Sequence, residues 1–210
     1  MQRTTIVFKL YSTEMKLVIV LLSLALIAQS CTDSGLRQYE TLSKNEIASG
    51  RRVDSLFFGF YFGMTNKDFF SYCWQQNKKG IFTDGQNNMY VLYKMKNNEL
   101  LHPASMNFYP DFYQNKIYKM RVLFQYDGWA PWNKQLYSDS LLPHVVDLYK
   151  TWYKDGNRFI RIYDKEKGTI YVKVDGNRRI TIGRYDDMIV KVDYTDLFIE
   201  PKVTDKDEGQ

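Results

Sequence analysis

The chain has 210 residues, of which 29 are Lys or Arg and 24 are Asp or Glu, giving a formal charge of +5. Removing residues 1–30 would delete three basic residues and one acidic residue and lower that charge to +3. Because no run of Lys and Arg is long enough to follow a phosphate backbone, the composition argues against nucleic acid as a partner.

The first feature along the chain is an apolar run from Leu17 to Ala28, preceded by Lys16 and followed by Ser30 and Cys31. A helix of about 12 residues is only ~18 Å long, whereas the hydrocarbon core of a bilayer is ~30 Å thick. A positive start, an apolar middle and a small-residue end are the parts of an export signal. We therefore predict that residues 1–30 are a signal peptide.

The end of this segment resembles a bacterial lipoprotein signal, which a peptidase cuts just before a cysteine that carries diacylglycerol. In this sequence that cysteine is Cys31, although Ala28 stands where the family most often has leucine. The resemblance implies lipidation, including palmitate, and attachment to the cell envelope, and Thr32 in place of aspartate implies the outer membrane. The alternative is an ordinary signal of a soluble secreted protein, cut near Ala28 or Ser30.

The segment before the apolar run predicts the position of the true start. With Met1 as initiator, Glu14 would lie beside the apolar run and a second apolar patch, Ile6 to Phe8, would precede it. A start at Met15 removes both features. We predict that Met15 is the initiator and that residues 1–14 are an extension.

The remaining chain divides by composition into three parts. Residues 31–55 are polar with few large apolar side chains, which predicts a flexible tether. Residues 201–210 are charged and aperiodic, which predicts a disordered tail. Residues 56–200 contain enough apolar and aromatic side chains for one compact domain. Within it, Cys73 is expected to be a small buried hydrophobic residue on a helix, and the alternative is a thiol that pairs between chains in an oxidising compartment.

The first elements of this domain are a strand and a helix. Leu56 to Phe62 is dense in aromatic residues and ends at Gly63, which predicts a buried strand and a turn. Thr65 followed by Asp68 is similar to a capping box, so a helix should begin there and end before Gly80. Its apolar stripe is Phe69, Phe70, Cys73 and Trp74.

A second helix should begin near Ser138 or Ser140 and end before Gly156. Each helix is followed by segments in which apolar and polar residues alternate, separated by turn-forming residues, and this pattern predicts antiparallel strands. The predicted strands are 89–95, 101–109 and 117–126 after the first helix, and 158–163, 169–174, 179–183 and 188–194 after the second.

The order of elements predicts an α+β domain made of two tandem units, about 56–127 and 137–200, with the helices on one face of an antiparallel sheet. This order, with Phe62, Gly63, Met64 and Thr65 opening a helix, resembles the small envelope lipoproteins of the BamE type and the tandem β-lactamase-inhibitor-protein fold. The resemblance concerns the fold and implies no functional residues.

The sequence has few residues arranged for chemistry. His102 and His144 have no partner at metal-ligand spacing, so we predict no metal and no cofactor. Asp186, Asp187, Asp193 and Asp196 cluster near the last strand, where a hairpin turn at 184–187 and solvated strand positions explain them better than catalysis does. We predict no catalytic residues.

The segment 126–137 differs because it combines Tyr126, Trp129, Trp132 and Tyr137 with Gly, Pro and Asn. If exposed, these rings would stack on sugars or bind a protein. If buried, they would fill the seam between the two units, and the high average burial of large aromatic side chains favours this second reading.

The sequence leads to three functional hypotheses. The first is a non-enzymatic, lipid-anchored envelope protein that binds another envelope component. The second is a glycan-binding lipoprotein that uses Trp129 and Trp132 as a stacking platform. The third is a hydrolase whose site is assembled from distant carboxylates. The expected partners are therefore the membrane, through the lipid, and an envelope protein or polysaccharide.

Overall fold

The computed structural model describes residues 34–85, 89–166 and 168–207. The predicted signal peptide, the start at Met15 and the lipidation site Cys31 lie outside the described residues. The helices are α1 (Ser34–Ala48), α2 (Asn66–Lys78), α3 (Ser138–Trp152) and α4 (Glu200–Asp207). The strands are β1 (Thr83–Asp84), β2 (Val91–Lys94), β3 (Ala104–Tyr113), β4 (Lys116–Tyr126), β5 (Ile160–Asp164), β6 (Gly168–Asp175), β7 (Arg178–Arg184) and β8 (Ile189–Asp196).

The eight strands form one antiparallel sheet in the order β1-β2-β3-β4-β8-β7-β6-β5. Each half is a run of four neighbouring strands that follows one helix, α2 or α3, and the halves join where β4 pairs with β8. The predicted α+β class and the antiparallel order of strands are confirmed.

The main core lies between one face of this sheet and the helices α2 and α3. The buried side chains of α3 include Leu141, Val145 and Tyr149, which pack with sheet residues such as Phe124 and Val192. The N-terminus of α2 has the expected cap, since Thr65 Oγ1 accepts a hydrogen bond from the Asp68 amide at 3.2 Å. Capping and one-sided burial explain why these two helices form where the pattern predicted them.

The strand predicted at Leu56–Phe62 is wrong. The backbone there turns back on itself, with positive φ at Phe58 and Gly59 and a single bridge between Ser55 and Tyr61. The aromatic side chains still enter the core, and the Phe60 ring lies 5.2 Å from that of Phe69. A compact turn therefore buries the rings that the sequence pattern had placed in a strand.

The flexible tether predicted at 31–55 differs from the structure over its described part. Residues 34–48 form α1, whose Tyr39 and Leu42 pack on Ile160, Ile162 and Val172. These strand residues point away from α2 and α3, because their cross-strand neighbours alternate with those of the main core. One further helix thus lies on the opposite face of the sheet, whereas α2 and α3, the two helices that the sequence predicted, share one face.

The segment after α1 is held by a network of buried polar groups. Asn177 Oδ1 accepts from the Val53 amide at 2.6 Å, and Arg178 donates to the Ser55 carbonyl at 2.6 Å. Asp175 lies between two buried cations, 3.1 Å from Lys173 and 3.2 Å from Arg178. This network fixes residues 53–55 to the turn between β6 and β7.

The end of the chain also differs from the expectation of disorder over 201–210, because α4 extends to Asp207. Glu200, its first residue, forms an ion pair of 2.5 Å with Arg179. Asp196, expected to be a solvated strand position, is buried and pairs with Arg52 at 3.0 Å. The prediction for Asp196 is wrong because this end of β8 is covered by the segment after α1.

Candidate binding surface

The four aromatic residues singled out in the sequence have different environments. Tyr126 is fully buried at the end of β4, where its hydroxyl lies 2.7 Å from His144 Nδ1. Burial raises the pKa of Tyr126 to about 12. Tyr137 immediately precedes α3 and donates a hydrogen bond to the Pro131 carbonyl at 2.7 Å.

The two tryptophans between Tyr126 and Tyr137 differ in their exposure to solvent. Trp129 is half-buried with its ring 5.6 Å from that of Tyr137, whereas Trp132 exposes 85% of its surface. The structure therefore brings Trp129 and Tyr137 together, where they partly fill the seam between the two units, and leaves Trp132 exposed to solvent.

The two histidines of the chain lie on either side of one tyrosine. The His102 ring contacts Tyr126 edge-on, with ring centroids 5.1 Å apart, and His144 is hydrogen-bonded to the same residue. Sequence reasoning did not anticipate this arrangement, because only the fold brings the start of β3 close to α3. Among the described residues, no group of three or more His, Cys, Asp or Glu side chains could hold a metal ion.

The clustered aspartates do not converge on one cleft. Asp186 accepts from the amides of Met188 and Ile189 at 2.8 Å each, which closes the predicted turn between β7 and β8. Asp193 lies mid-strand, half-buried, and pairs with Lys191 at 2.9 Å. Since Asp186 and Asp196 are at opposite ends of β8, a general acid and a general base cannot be built from these residues.

A hydrogen-bonded trio at the edge of the sheet was also missed by sequence reasoning. Lys94 Nζ lies 2.8 Å from Ser105 Oγ and 3.1 Å from Asp127, and Ser105 donates to Asp127 at 2.6 Å. Lys94 and Ser105 thus both donate to the same carboxylate, and the trio ties the end of β2 to the start of β3 and to the residue after β4.

The face of the sheet opposite α2 and α3 is polar over its central strands. Arg121 of β4 pairs directly with Tyr109 of β3 and with Asp193 of β8, and Leu123 pairs with Asn107 and Lys191. All six side chains are half-exposed, and α1, which lies on this face, packs on β5 and β6. We call this set of residues the open face.

Three polar atoms of the open face are buried but have no hydrogen-bond partner within the described part of the chain: Asn107 Oδ1, Arg121 Nε and Asp193 Oδ1. Arg121 does form an ion pair with Asp111, and this pairing raises the pKa of Arg121. A buried polar atom without a partner costs about 1–3 kcal/mol. Three such atoms on neighbouring strands are therefore an unusual concentration of unsatisfied groups.

An apolar groove of about 690 Å³ lies beside α2, at the β1 edge of the sheet. Its walls include Phe70, Trp74, Met89 and Tyr90, and Lys78 Nζ lies 3.5 Å from the centroid of the Trp74 ring. Cys73 also lines it, and burial raises the pKa of its thiol to about 12. A thiol of such high pKa is a poor nucleophile, so the groove offers shape and aromatic surface rather than chemistry.

The comparisons with known proteins add no relative, since no protein-family model, curated protein or solved structure matches the chain. Within residues 34–85, 89–166 and 168–207, none of the helices has the length and hydrophobicity to span a membrane. The open face could have been anticipated from sequence by one signal, the polar residues at alternate positions of β3, β4 and β8.

Proposed function

We propose that this protein is a lipid-anchored component of the cell envelope, attached through Cys31 at the outer membrane, that binds another envelope component without catalysing a reaction. The observation that supports binding is the set of unpaired polar atoms on Asn107, Arg121 and Asp193 of the open face. These atoms are covered in the isolated domain, so a partner would reach them after a change of side-chain rotamer, and the hydrogen bonds gained would recover free energy that the isolated domain forfeits.

The chemistry of the open face favours a protein partner. It presents a guanidinium, an amide, a carboxylate and the ring of Tyr109 around the apolar Leu123. Arg and Tyr are enriched in the residues that dominate protein–protein binding energy, and interfaces combine such anchors with directional polar contacts.

The anchor is tested by metabolic labelling with palmitate followed by membrane fractionation. Label on the native chain is expected to disappear in Cys31→Ser and to persist in Cys73→Ser, the matched control at the other cysteine. A Cys31→Ser protein that still carries label, or that remains in the membrane fraction to the same extent, would contradict the lipid anchor.

The binding role is tested with a photo-crosslinking amino acid placed at Leu123 in intact cells. A discrete protein adduct is expected, and it should weaken when Arg121→Ala is added. The control position is Lys150, which is exposed on α3 on the other side of the sheet. Equal adducts at both positions, or none at Leu123 in correctly anchored protein, would refute a partner on the open face.

The glycan hypothesis now depends on the ring of Trp132 alone. Stacking on sugars by a pair of rings needs both faces exposed side by side, whereas Trp129 packs on Tyr137 and only Trp132 is in solvent. Fluorescence titration with envelope polysaccharides tests it: a saturable response that is lost in Trp132→Ala would favour glycan binding over the role proposed above.

A further inference from the structure

The direction of α1 determines which end of the domain lies near the predicted lipid. The helix begins against the backbone of β5, so closely that a Cβ at Gly35 would lie 2.3 Å from the Arg161 carbonyl oxygen. In its last turn, Glu46 accepts from Asn157 Nδ2 and from the Gly176 amide, each at 2.6 Å. Because Asn157 precedes β5, α1 runs antiparallel to that strand.

The first turn of α1 is therefore directed toward the end of the sheet where β5 turns into β6. Cys31 is three residues before Ser34, and three Cα–Cα steps span at most about 11 Å. This limit holds for any conformation of the intervening residues. A lipid on Cys31 would thus be kept close to this end of the sheet.

The same end carries four exposed apolar side chains, three of them on connections and one near the end of a strand. They are Leu101 before β3, Trp132 after β4, Tyr163 near the end of β5 and Tyr185 after β7, and their exposed fractions are 67%, 85%, 63% and 65%. Strand register places the ends of these strands at the same end of the sheet, since Ala104 pairs with Tyr126, Gln125 with Ile189, and Ile170 with Gly183. We call these four residues the apolar rim.

Charges near the apolar rim largely cancel. Lys94 pairs with Asp127, and Arg184 pairs with both Asp139 and Asp187. A surface that attracts lipid by electrostatics shows an excess of Lys and Arg, whereas in these described pairs each basic side chain is matched by a carboxylate. Tryptophan and tyrosine, in contrast, are enriched at the level of lipid headgroups because their rings are apolar with one polar group.

We propose that the apolar rim contacts the surface of the lipid bilayer, with Trp132, Tyr163 and Tyr185 at the level of the headgroups. This inference rests on the proposed lipid at Cys31 and adds an orientation to it. In this orientation the apolar end of the strands faces the membrane. The open face lies at the side of the domain, and the turn between β3 and β4 lies at the end farthest from the membrane.

The test uses the full-length acylated protein reconstituted in phosphatidylcholine vesicles that contain a lipid brominated near the glycerol end of its acyl chains. The bromines quench any tryptophan at the interface. We expect quenching of the native protein to fall by half or more in Trp132→Phe. Trp74→Phe is the matched control, because Trp74 is also exposed, at 61%, but lies on α2 beside the groove. Its removal should leave the quenched fluorescence unchanged.

Lipid charge and salt provide a second readout. Because charges near the rim cancel, adding anionic lipid or raising the salt concentration should change quenching by less than about a quarter, whereas attraction by free basic residues would be screened. Quenching that disappears at high salt would overturn the rim as the contacting group. So would quenching that is unaffected by Trp132→Phe, or a loss in Trp74→Phe.

The mass of the same purified protein separates the two proposals. Protein that carries lipid on Cys31 but shows no quenching of Trp132 refutes the orientation and leaves the anchor intact. Protein without lipid refutes the proposed anchor and the orientation with it. A response of Trp132 to polysaccharide, with no quenching in vesicles, would assign the ring to glycan binding instead.

Discussion

At the scale of single residues, the unsatisfied polar groups of the open face lower the stability of the fold. Asn107 is flanked on the two neighbouring strands by Leu92 and Leu123, an environment suited to an apolar β-branched side chain. Its amide oxygen is nevertheless buried without a described partner. Proteins commonly retain such destabilising groups where function needs them.

Replacing this group should therefore stabilise the fold. We expect Asn107→Val to raise the free energy of unfolding by about 1 kcal/mol, because an unpaired amide is removed and apolar contact with the two leucines is gained. Urea denaturation measures the change, and the same variant should lose the crosslink from Leu123. Destabilisation by Asn107→Val would mean that the amide has a structural role.

The buried charges at the β6–β7 turn, in contrast, are paired and stabilise the fold. Asp175→Ala would leave Lys173 and Arg178 buried without their shared carboxylate, and breaking a buried pair typically costs about 3–5 kcal/mol. The control is Asp147→Ala, which removes an exposed pair with Lys150 and should change stability by less than about 0.5 kcal/mol. Equal effects of both substitutions in urea would contradict the view that Asp175 holds the network together.

At the scale of elements, α1 is the largest departure from expectation. Its sequence is polar, and the apolar side chains that it packs on the sheet are Tyr39 and Leu42. Two such residues are too few for amino-acid composition to distinguish this helix from a linker. The sheet residues beneath it are Ile160, Ile162 and Val172. These three residues would be exposed if α1 were a free tether. Because α1 buries them, it is held on the sheet and anchors the N-terminal end of the domain.

A double substitution tests this anchoring. Tyr39→Ala with Leu42→Ala should lower the free energy of unfolding by about 2 kcal/mol, because partly buried side chains are removed from the sheet. Ile47→Ala is the control on the same helix, since Ile47 is exposed and should cost less than about 0.5 kcal/mol. Faster proteolysis at residues 34–48 in the double variant, but not in Ile47→Ala, would support this anchoring role. Unchanged stability would show that α1 does not hold the sheet.

The elements that sequence reasoning predicted well are those with a strong period and a chemical stop. α2 has Thr65 at its start and Gly80 after its end, and much of β4 and the middle of β8 alternate buried and half-exposed residues. The prediction was wrong for Leu56–Phe62 because aromatic density signals burial but not conformation. Alternating polar residues of β3, β4 and β8 signal that one face is open, but which of these residues lie side by side depends on the strand register, which no local pattern specifies.

At the scale of the whole molecule, the two tandem units share one core. β4 and β8 pair over seven residues, from Lys119 with Thr195 to Gln125 with Ile189, and the main core takes side chains from both units. Tyr149 of α3 and Tyr194 of β8 lie in that shared core, with Tyr153 next to them. Neither unit can bury its aromatic residues alone, so we expect them to unfold together.

This shared core makes stability sensitive to alkaline pH. Burial raises the pKa of Tyr126 and Tyr153 to about 12 and the pKa of Tyr149 and Tyr194 well above the usual value of 10.0. Below pH 10 these phenols are neutral in both states, and their contribution to stability is complete. As pH rises from about 10 to about 12, they ionise in the unfolded chain first, so the free energy of unfolding must fall.

The decline can be assigned to the core by substitution. Tyr149→Phe should make the loss of stability between pH 9 and pH 11.5 less steep, because one buried phenol no longer ionises on unfolding. Tyr185→Phe, at an exposed position of the apolar rim, should leave the slope unchanged. Absorbance at 295 nm should show that the buried group ionises only as near-UV circular dichroism is lost. Ionisation of every tyrosine near pH 10 in a folded protein would contradict the role assigned to this core.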